Sequence, residues 1–233
     1  MENLLKIALD IIFPSKCALC GASGWDLCLK CLSLSPPAER ECAEWVFPLF
    51  DYRHPPLKKA IWLLKYRGKK KLAEAFAEIL YGRILEELAD LRALKNFNNP
   101  IIIPIPLSRA RQRERGYNQT ELICKGLIKL DEKNSGQNHL RHGADIKSGK
   151  NFSRGENVLI KIKETEHQAR LKNRSERLKN LSGTFAVKNA EAIKERNIIL
   201  IDDVTTTGAT LNEAKRILKE NGAGKIIAFT VAH

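Results

Sequence analysis

Two hundred and thirty-three residues, 43% hydrophobic and 29% charged, leave room for one main domain with a small appendage and exclude a globally disordered chain. No uncharged apolar run approaches the roughly 18 residues that span a bilayer, so an integral membrane helix is excluded as well. The formal charge of +13 is uneven: residues 1–50 carry 4 basic and 6 acidic groups, residues 51–100, 101–150 and 151–200 each carry +5, and the last 33 are neutral. An excess in the middle of the chain asks for a polyanion, either a phosphorylated small molecule or a nucleic-acid backbone.

The apolar stretch from Leu4 to Phe13 is interrupted by Lys6 and Asp10, and no small-residue cleavage site follows it. It predicts a short amphipathic helix rather than a signal peptide, and with that a cytoplasmic protein. Next comes Cys17-x2-Cys20-x7-Cys28-x2-Cys31. Each x2 spacing lets a tight turn aim two sulfurs at one point, and two such turns supply a closed four-thiolate shell for structural zinc. Two disulfides are the competing reading, disfavoured in a chain without an export signal. A closed shell leaves no position for substrate, so its work is to fold a segment too small for its own core. Cys42 reads as a spare ligand or a small hydrophobe, and Cys124 as buried filler in a helical pattern.

Pro36-Pro37 closes this module, taken as residues 1–45, and the second unit runs from 46 to 233. The alternating stretch Trp45 to Tyr52 predicts a strand. Pro55-Pro56 suits a helix start, with Leu57, Ile61 and Leu64 at helical spacing. A second helix is expected from about Leu72 to Leu88, a buried strand at Ile101 to Ile103, and a helix from Tyr117 to Leu130 after a polar loop. Residues 131–157, with four glycines and few apolar side chains, read as a long mobile insertion. A charged helix-prone stretch near Thr165 to Asn180 precedes a strand at Thr184 to Val187. The chain closes on strand 197–201, helix 209–221 and strand 225–231, a β-α-β unit that requires a parallel pair and hence an α/β sheet.

The most specific signal lies inside that closing unit. Ile198 to Ile201 make a buried strand that runs into Asp202-Asp203-Val204-Thr205-Thr206-Thr207-Gly208-Ala209-Thr210. Ligands of parallel sheets sit above the carboxyl ends of the strands, and backbone amides entering a helix converge on an anion. Two carboxylates beside such a cradle make sense as acceptors from a sugar diol, since they would repel the phosphate itself. Without any G-x-x-x-x-G-K-[ST] in the sequence, a P-loop ATPase is rejected. Upstream, Arg109, Arg111, Arg113 and Arg115 place guanidiniums at every second position, too dense to bury and suited to pyrophosphate or a nucleic-acid backbone. Arg115 is the preferred contact because Gly116 beside it permits an unusual backbone approach.

These residues resemble the phosphoribosyl-pyrophosphate (PRPP) binding motif of type I phosphoribosyltransferases. Together with the cysteine module, Leu64-Lys65-Tyr66-Arg67-Gly68, Pro104-Ile105-Pro106-Leu107, Gly116-Tyr117-Asn118-Gln119 and the later Gln168, Leu171, Arg174, Glu176-Arg177, Asn180 and Phe185, their order is similar to ComF-family proteins. The resemblance implies a type I phosphoribosyltransferase-like parallel sheet flanked by helices, with an N-terminal zinc element, in a protein linked to competence and DNA uptake. It implies that Asp202 and Asp203 engage the ribose hydroxyls and that Thr205 to Thr210 wrap the 5-phosphate. Mg2+ bound with PRPP is the implied cofactor, Arg113 and Arg115 would stabilise departing pyrophosphate, and the 165–180 stretch could serve as a lid. Single-stranded DNA and a DNA translocase are the partners it implies. One departure is the lysine-bearing Ile160-Lys161-Ile162-Lys163, where relatives tend to carry arginine.

Two functions from different classes remain open at this level: transfer of phosphoribosyl to an unidentified acceptor, and a non-catalytic competence factor that binds PRPP, a nucleotide or single-stranded DNA. No general base stands out among the scattered His54, His139, His142, His167 and His233. With 6% aromatic residues and no aromatic-studded basic stripe visible along the chain, stacking on single strands is poorly supported. A weaker third reading has the zinc module dock another protein.

Overall fold

The apolar runs of the closing unit form strands that are buried on both faces, as parallel strands covered by helices must be. The computed structural model describes residues 16–138 apart from 18, 25, 40 and 41, residues 150–163 apart from 156, and residues 183–233. The expected Leu4–Phe13 helix and the Thr165–Asn180 stretch lie outside the described residues.

Strands β1 (Val46–Phe50), β2 (Ile101–Pro104) and β3 (Ser153–Arg154) belong to the main sheet; β4 (Leu159–Lys161) and β5 (Phe185–Val187) pair antiparallel in a small second sheet. β6 (Ile198–Val204) and β7 (Ile226–Ala232) complete the main sheet, whose order is β1-β7-β6-β2-β3 with every pair parallel. Side chains alternate along each strand. Ile199 and Ile201 of β6 therefore enter one apolar cluster, while Ile198 and Leu200 enter another on the opposite face.

Short helix α1 (Leu29–Ser33) carries part of the cysteine set. Helix α2 (Pro55–Tyr66) opens on Pro55, where a missing N–H costs nothing, and its Leu57, Ile61 and Leu64 are buried as the spacing predicts. Helix α3 (Lys71–Lys95) runs about two further turns beyond the expected end and stops at Asn96, which is left-handed at φ 50°. It shares the first apolar cluster with α2 and with residues of helix α5 (Gln119–Asn138), which follows the short α4 (Arg109–Arg115). Helix α6 (Ala209–Glu220) covers the second cluster through Leu211, Ala214 and Leu218. The observed architecture is the expected one: a parallel sheet flanked by helices, with a cysteine element at the front.

That element is not set apart. Cys17, Leu27, Cys31 and Leu32 are buried in the same apolar cluster as α2 and α3, and Asp26 pairs with Lys69 at 3.1 Å.

The expected 131–157 insertion is corrected at both ends. Helix α5 continues through Asn138, and Ser153–Arg154 return as the edge strand β3. The cause is a polar knot that composition does not reveal. Asp131 is buried, accepting from Tyr81 Oη at 3.1 Å, from the Asn151 backbone N–H at 2.8 Å and from Asn151 Nδ2 at 2.7 Å. Phe152, also buried, meets the Tyr81 ring edge-on with centroids 6.1 Å apart. A buried carboxylate is retained only with partners of this kind. Residues 139–149 lie outside the described set.

Candidate functional site

The carboxyl ends of β1, β6 and β2 open into one crevice. β6 delivers two acids to it, and strand alternation sends them to opposite faces. Asp203 lies on the α2 and α5 side and is buried, at 4% exposure. Lys65 Nζ of α2 stands 2.8 Å from its Oδ1, and Gln119 Nε2 of α5 donates to its Oδ2 at 2.5 Å. Asp202 is partly exposed, and its Oδ1 accepts the Asp203 backbone N–H at 2.8 Å. Burial, followed by the charge of Asp203, pushes its carboxyl up to about 7, against the pull of Lys65. The two acids are thus unequal: one is tied to the scaffold, and the other faces the crevice and titrates near neutrality.

The loop after them is built by its backbone. The Thr205 N–H donates to the Ala232 carbonyl at 3.0 Å and ties the loop to the end of β7. Gly208 sits left-handed at φ 70° as the N-cap of α6, where any Cβ would be strained. Its carbonyl takes the Asn212 N–H at 2.8 Å, and Thr207 Oγ1 takes the Ala209 N–H at 3.4 Å. Asp202, Val204 and Thr205 through Thr210 line a small hollow at the start of this twelve-residue helix. Amides and the helix dipole both favour an anion there.

Facing the loop is a cavity of about 300 Å³ whose far wall holds Tyr52, Lys65, Tyr66, Arg111, Arg115 and Gln119, with Lys161 and Phe185 contributed by the β4–β5 pair. The expected arginine loop is a helix, α4. Ser108 caps it, accepting the Arg111 N–H at 3.4 Å, and Gly116 ends it at φ 75°. Helical geometry replaces the every-second-residue reading by an i, i+4 face. Of the expected Arg113–Arg115 pair, Arg115 lines the cavity together with Arg111, whereas Arg113 is exposed and does not. Arg115 donates to Gln119 Oε1 at 2.9 Å and to Tyr66 Oη at 3.3 Å, while its buried Nε has no partner among the described residues. Gln119 bridges Arg115 to Asp203; the sequence placed it in the Gly116-Tyr117-Asn118-Gln119 segment without assigning it this role. No histidine among the described residues lines the cavity: His54 caps α2, and His139, His142 and His167 lie outside the described residues.

The absent aromatic–basic stripe is also corrected. Trp62 and Tyr66, one helical turn apart on α2 and 44% and 46% exposed, lie 6.1 Å apart. Arg67 lies over Trp62 at 5.2 Å, Arg115 over Tyr66 at 5.0 Å, and Lys70 over Tyr117 at 4.8 Å. Arg67 and Trp62 are neighbours along α2, whereas the Arg115–Tyr66 and Lys70–Tyr117 pairs join segments some fifty residues apart and exist only in the fold.

In the cysteine element, the Sγ atoms of Cys17, Cys20, Cys28 and Cys31 all lie within 4.8 Å of one another, an arrangement that could hold a metal ion. Cys20 and Cys28 sulfurs are 3.6 Å apart, and the Cys28 N–H donates to Cys17 Sγ at 3.4 Å. Although burial opposes ionisation, N–H groups of Cys20, Cys28 and Leu19 bring the Cys17 thiol down to about 6. Four convergent sulfurs, two of them buried, fit a closed thiolate shell. Cys42 stands outside the set and Cys124 is fully buried, each thiol pushed up by burial.

A phosphoribosyl transferase domain matches residues 150–233. The DNA utilization protein YhgH of Escherichia coli is 28% identical over 200 residues, covering 85% of this chain and 74% of that one. Competence protein F of Haemophilus influenzae is 28% identical over 223 residues, 91% of this chain and 83% of the relative. Competence protein ComFC of Bacillus subtilis is 31% identical over 176 residues, 75% of this chain and 59% of its own length. Among solved structures, a hypoxanthine phosphoribosyl transferase of Trypanosoma cruzi is similar over 69% of this chain at 10% identity and a TM-score of 0.38. The chain spans 64% of its length. No helix among the described residues is long and apolar enough to cross a membrane.

Proposed function

We infer from its relatives that the chain is a ComF-family protein, and on that premise we propose that it binds PRPP with Mg2+ in the crevice after β6 and transfers the phosphoribosyl group to an acceptor, in a pathway of competence and DNA uptake. The observation that carries this reading is the opposition, across one cavity, of an amide-built anion hollow with a carboxylate at its mouth and a wall bearing Arg111 and Arg115. In this reading the loop from Thr205 to Thr210 wraps the 5-phosphate with its hydroxyls and with amides other than that of Thr205, which is bonded to Ala232, while Val204, Gly208 and Ala209 shape the backbone. Asp202 accepts from the ribose diol. Asp203 acts through Lys65 and Gln119, holding the far wall in register instead of taking both hydroxyls.

Breaking the anomeric C–O bond leaves positive character on the ribose and sends the bonding electron pair to pyrophosphate, which departs as an anion. Arg111 and Arg115 stabilise that charge in a partly dry cavity, the buried unpartnered Nε of Arg115 being a donor in reserve. The oxygen donors beside the hollow, Asp202 and the hydroxyls of Thr206 and Thr210, fit a hard cation shared with the ligand's phosphates, and Mg2+ there would supply further charge neutralisation. The test is calorimetric titration with PRPP and Mg2+ followed by pyrophosphate release across an acceptor panel. Tight binding with no turnover would leave the binding half and remove the transferase half.

The Trp62–Tyr66–Tyr117 stripe with its cations favours a second reading, a single-strand-handling factor in which bases stack on these rings beside the cavity. Each neutralised phosphate would add a slope of about −0.7 to log affinity against log salt, and Trp62→Ala would cost about 1–3 kcal/mol of oligonucleotide binding. Salt-insensitive or undetectable binding removes it. A DNA translocase partner is tested by pull-down with and without residues 1–45. For the cysteine element we infer one structural zinc per chain on Cys17, Cys20, Cys28 and Cys31, checked by metal analysis of the purified protein.

A further inference from the structure

At the other edge of the sheet, where β1 and β7 begin, a second cavity of about 280 Å³ lies roughly 20 Å from the sugar-phosphate crevice, the length of a seven-residue strand. Its floor is apolar, made by Leu91, Phe97 and Ile226. One side is Trp45, whose ring lies under Lys215 Nζ at 4.0 Å. Lys95 from the end of α3, Lys215 from α6 and Lys225 from the turn before β7 line the cavity, against a single acid, Glu44. Lys225 Nζ donates to the Lys95 carbonyl, and none of the three amines has an ion-pair partner among the described residues. The Lys215 amine is pulled down by burial and by Lys219.

Three cations brought together from three separate elements repel one another, and a solvated charged face would spread them apart. An apolar floor, an aromatic wall and three cations suit a flat ring that carries an anionic group. The cavity is at the small end of the range for ligand sites, about the size of one nucleotide.

We propose that this hollow is a second ligand site, independent of the sugar-phosphate crevice, for a free nucleoside monophosphate whose base packs on Trp45 and whose phosphate is held by Lys215 and Lys225. The test is AMP titration by calorimetry on the full chain, without and with saturating PRPP and Mg2+. A Trp25→Phe/Trp62→Phe variant, in which Trp45 is the sole indole, adds a fluorescence readout at the site itself. Saturable quenching of Trp45, matching the calorimetric midpoint and weakened about tenfold or more by Lys215→Ala/Lys225→Ala, is expected, since charge-assisted bonds are the strong ones. Asp202→Asn leaves it unchanged, and ribose 5-phosphate, which lacks the ring, fails to reproduce it.

An AMP signal that survives the lysine double variant but falls with Asp202→Asn belongs to the crevice and overturns the proposal. So do equal binding of ribose 5-phosphate, capture of an oligonucleotide with no AMP binding, and absence of Trp45 quenching at millimolar AMP. Failure of PRPP to bind would count against the proposed transferase and leave the Trp45 readout intact.

Discussion

The two walls of the crevice are made of different material. On one side the segment from Asp202 to Thr210 is contiguous, rigidly bonded to β7 and α6 through its own backbone, and nearly devoid of long side chains. On the other, Lys65, Tyr66, Arg111, Arg115 and Gln119 come from three helices; Arg115 bonds Tyr66 and Gln119, and Lys65 and Gln119 both hold Asp203. A backbone wall recognises a fixed shape and tolerates little change. A side-chain wall supplies charge, and two links to Asp203, the Lys65 ion pair and Gln119 bridging from Arg115, couple it to the first. In the proposed function this division gives binding geometry to the loop and charge neutralisation to the helices, and it can be broken from either side.

The largest effect is expected from Asp202→Asn/Asp203→Asn, which should abolish PRPP consumption, a loss of at least about 100-fold in turnover measured by pyrophosphate release. If Asp203→Asn alone matched the double variant while Asp202→Asn were silent, the assignment of the two acids would be reversed. Next comes Lys65→Ala. It strands a buried carboxylate and should cost about 3 kcal/mol in urea unfolding, with much of the loss recovered in Lys65→Ala/Asp203→Asn. A cost near zero would show that the pair does not tie the walls together. Arg115→Lys keeps the charge but loses the fork to Gln119 and Tyr66, and should weaken PRPP binding by about tenfold; Arg113→Ala should leave it within about twofold.

The smallest effect is the pH profile. The Asp202 carboxyl, raised from its ordinary range to about 7, binds a proton in the folded state that the unfolded chain has released. Its contribution to stability therefore declines as pH climbs from about 4 and levels off above about 7. The diol needs the ionised form, so PRPP affinity should rise several-fold between pH 6 and 8, and Asp202→Asn should flatten that rise. A flat wild-type profile would mean that the acid does not meet the ligand.

The contiguous wall was legible before folding. Four apolar residues, two acids and a hydroxyl-and-glycine turn state a strand, a mouth and a helix start in one line of sequence, and the paired C-x2-C spacings likewise announced four sulfurs at one point. The reading failed wherever the cause lay far along the chain. Asp131 looks like the first residue of a polar loop until Tyr81 and Asn151 are beside it, and then it extends a helix. Alternate arginines look like a loop until a serine cap and a glycine stop wind them into α4, with Arg111 and Arg115 lining the cavity.

Local chemistry by itself determined the parallel β-α-β close, the anion-facing turn and the cysteine cluster, because spacing of a few residues is enough to specify each. Only the tertiary structure decided which acid pairs with Lys65, which arginines line the cavity, that Arg115 covers Tyr66 and Lys70 covers Tyr117, and that Lys215 lies over Trp45. Those relations join residues tens of positions apart, and they are set by how helices pack on a twisted sheet, which no short stretch of sequence encodes.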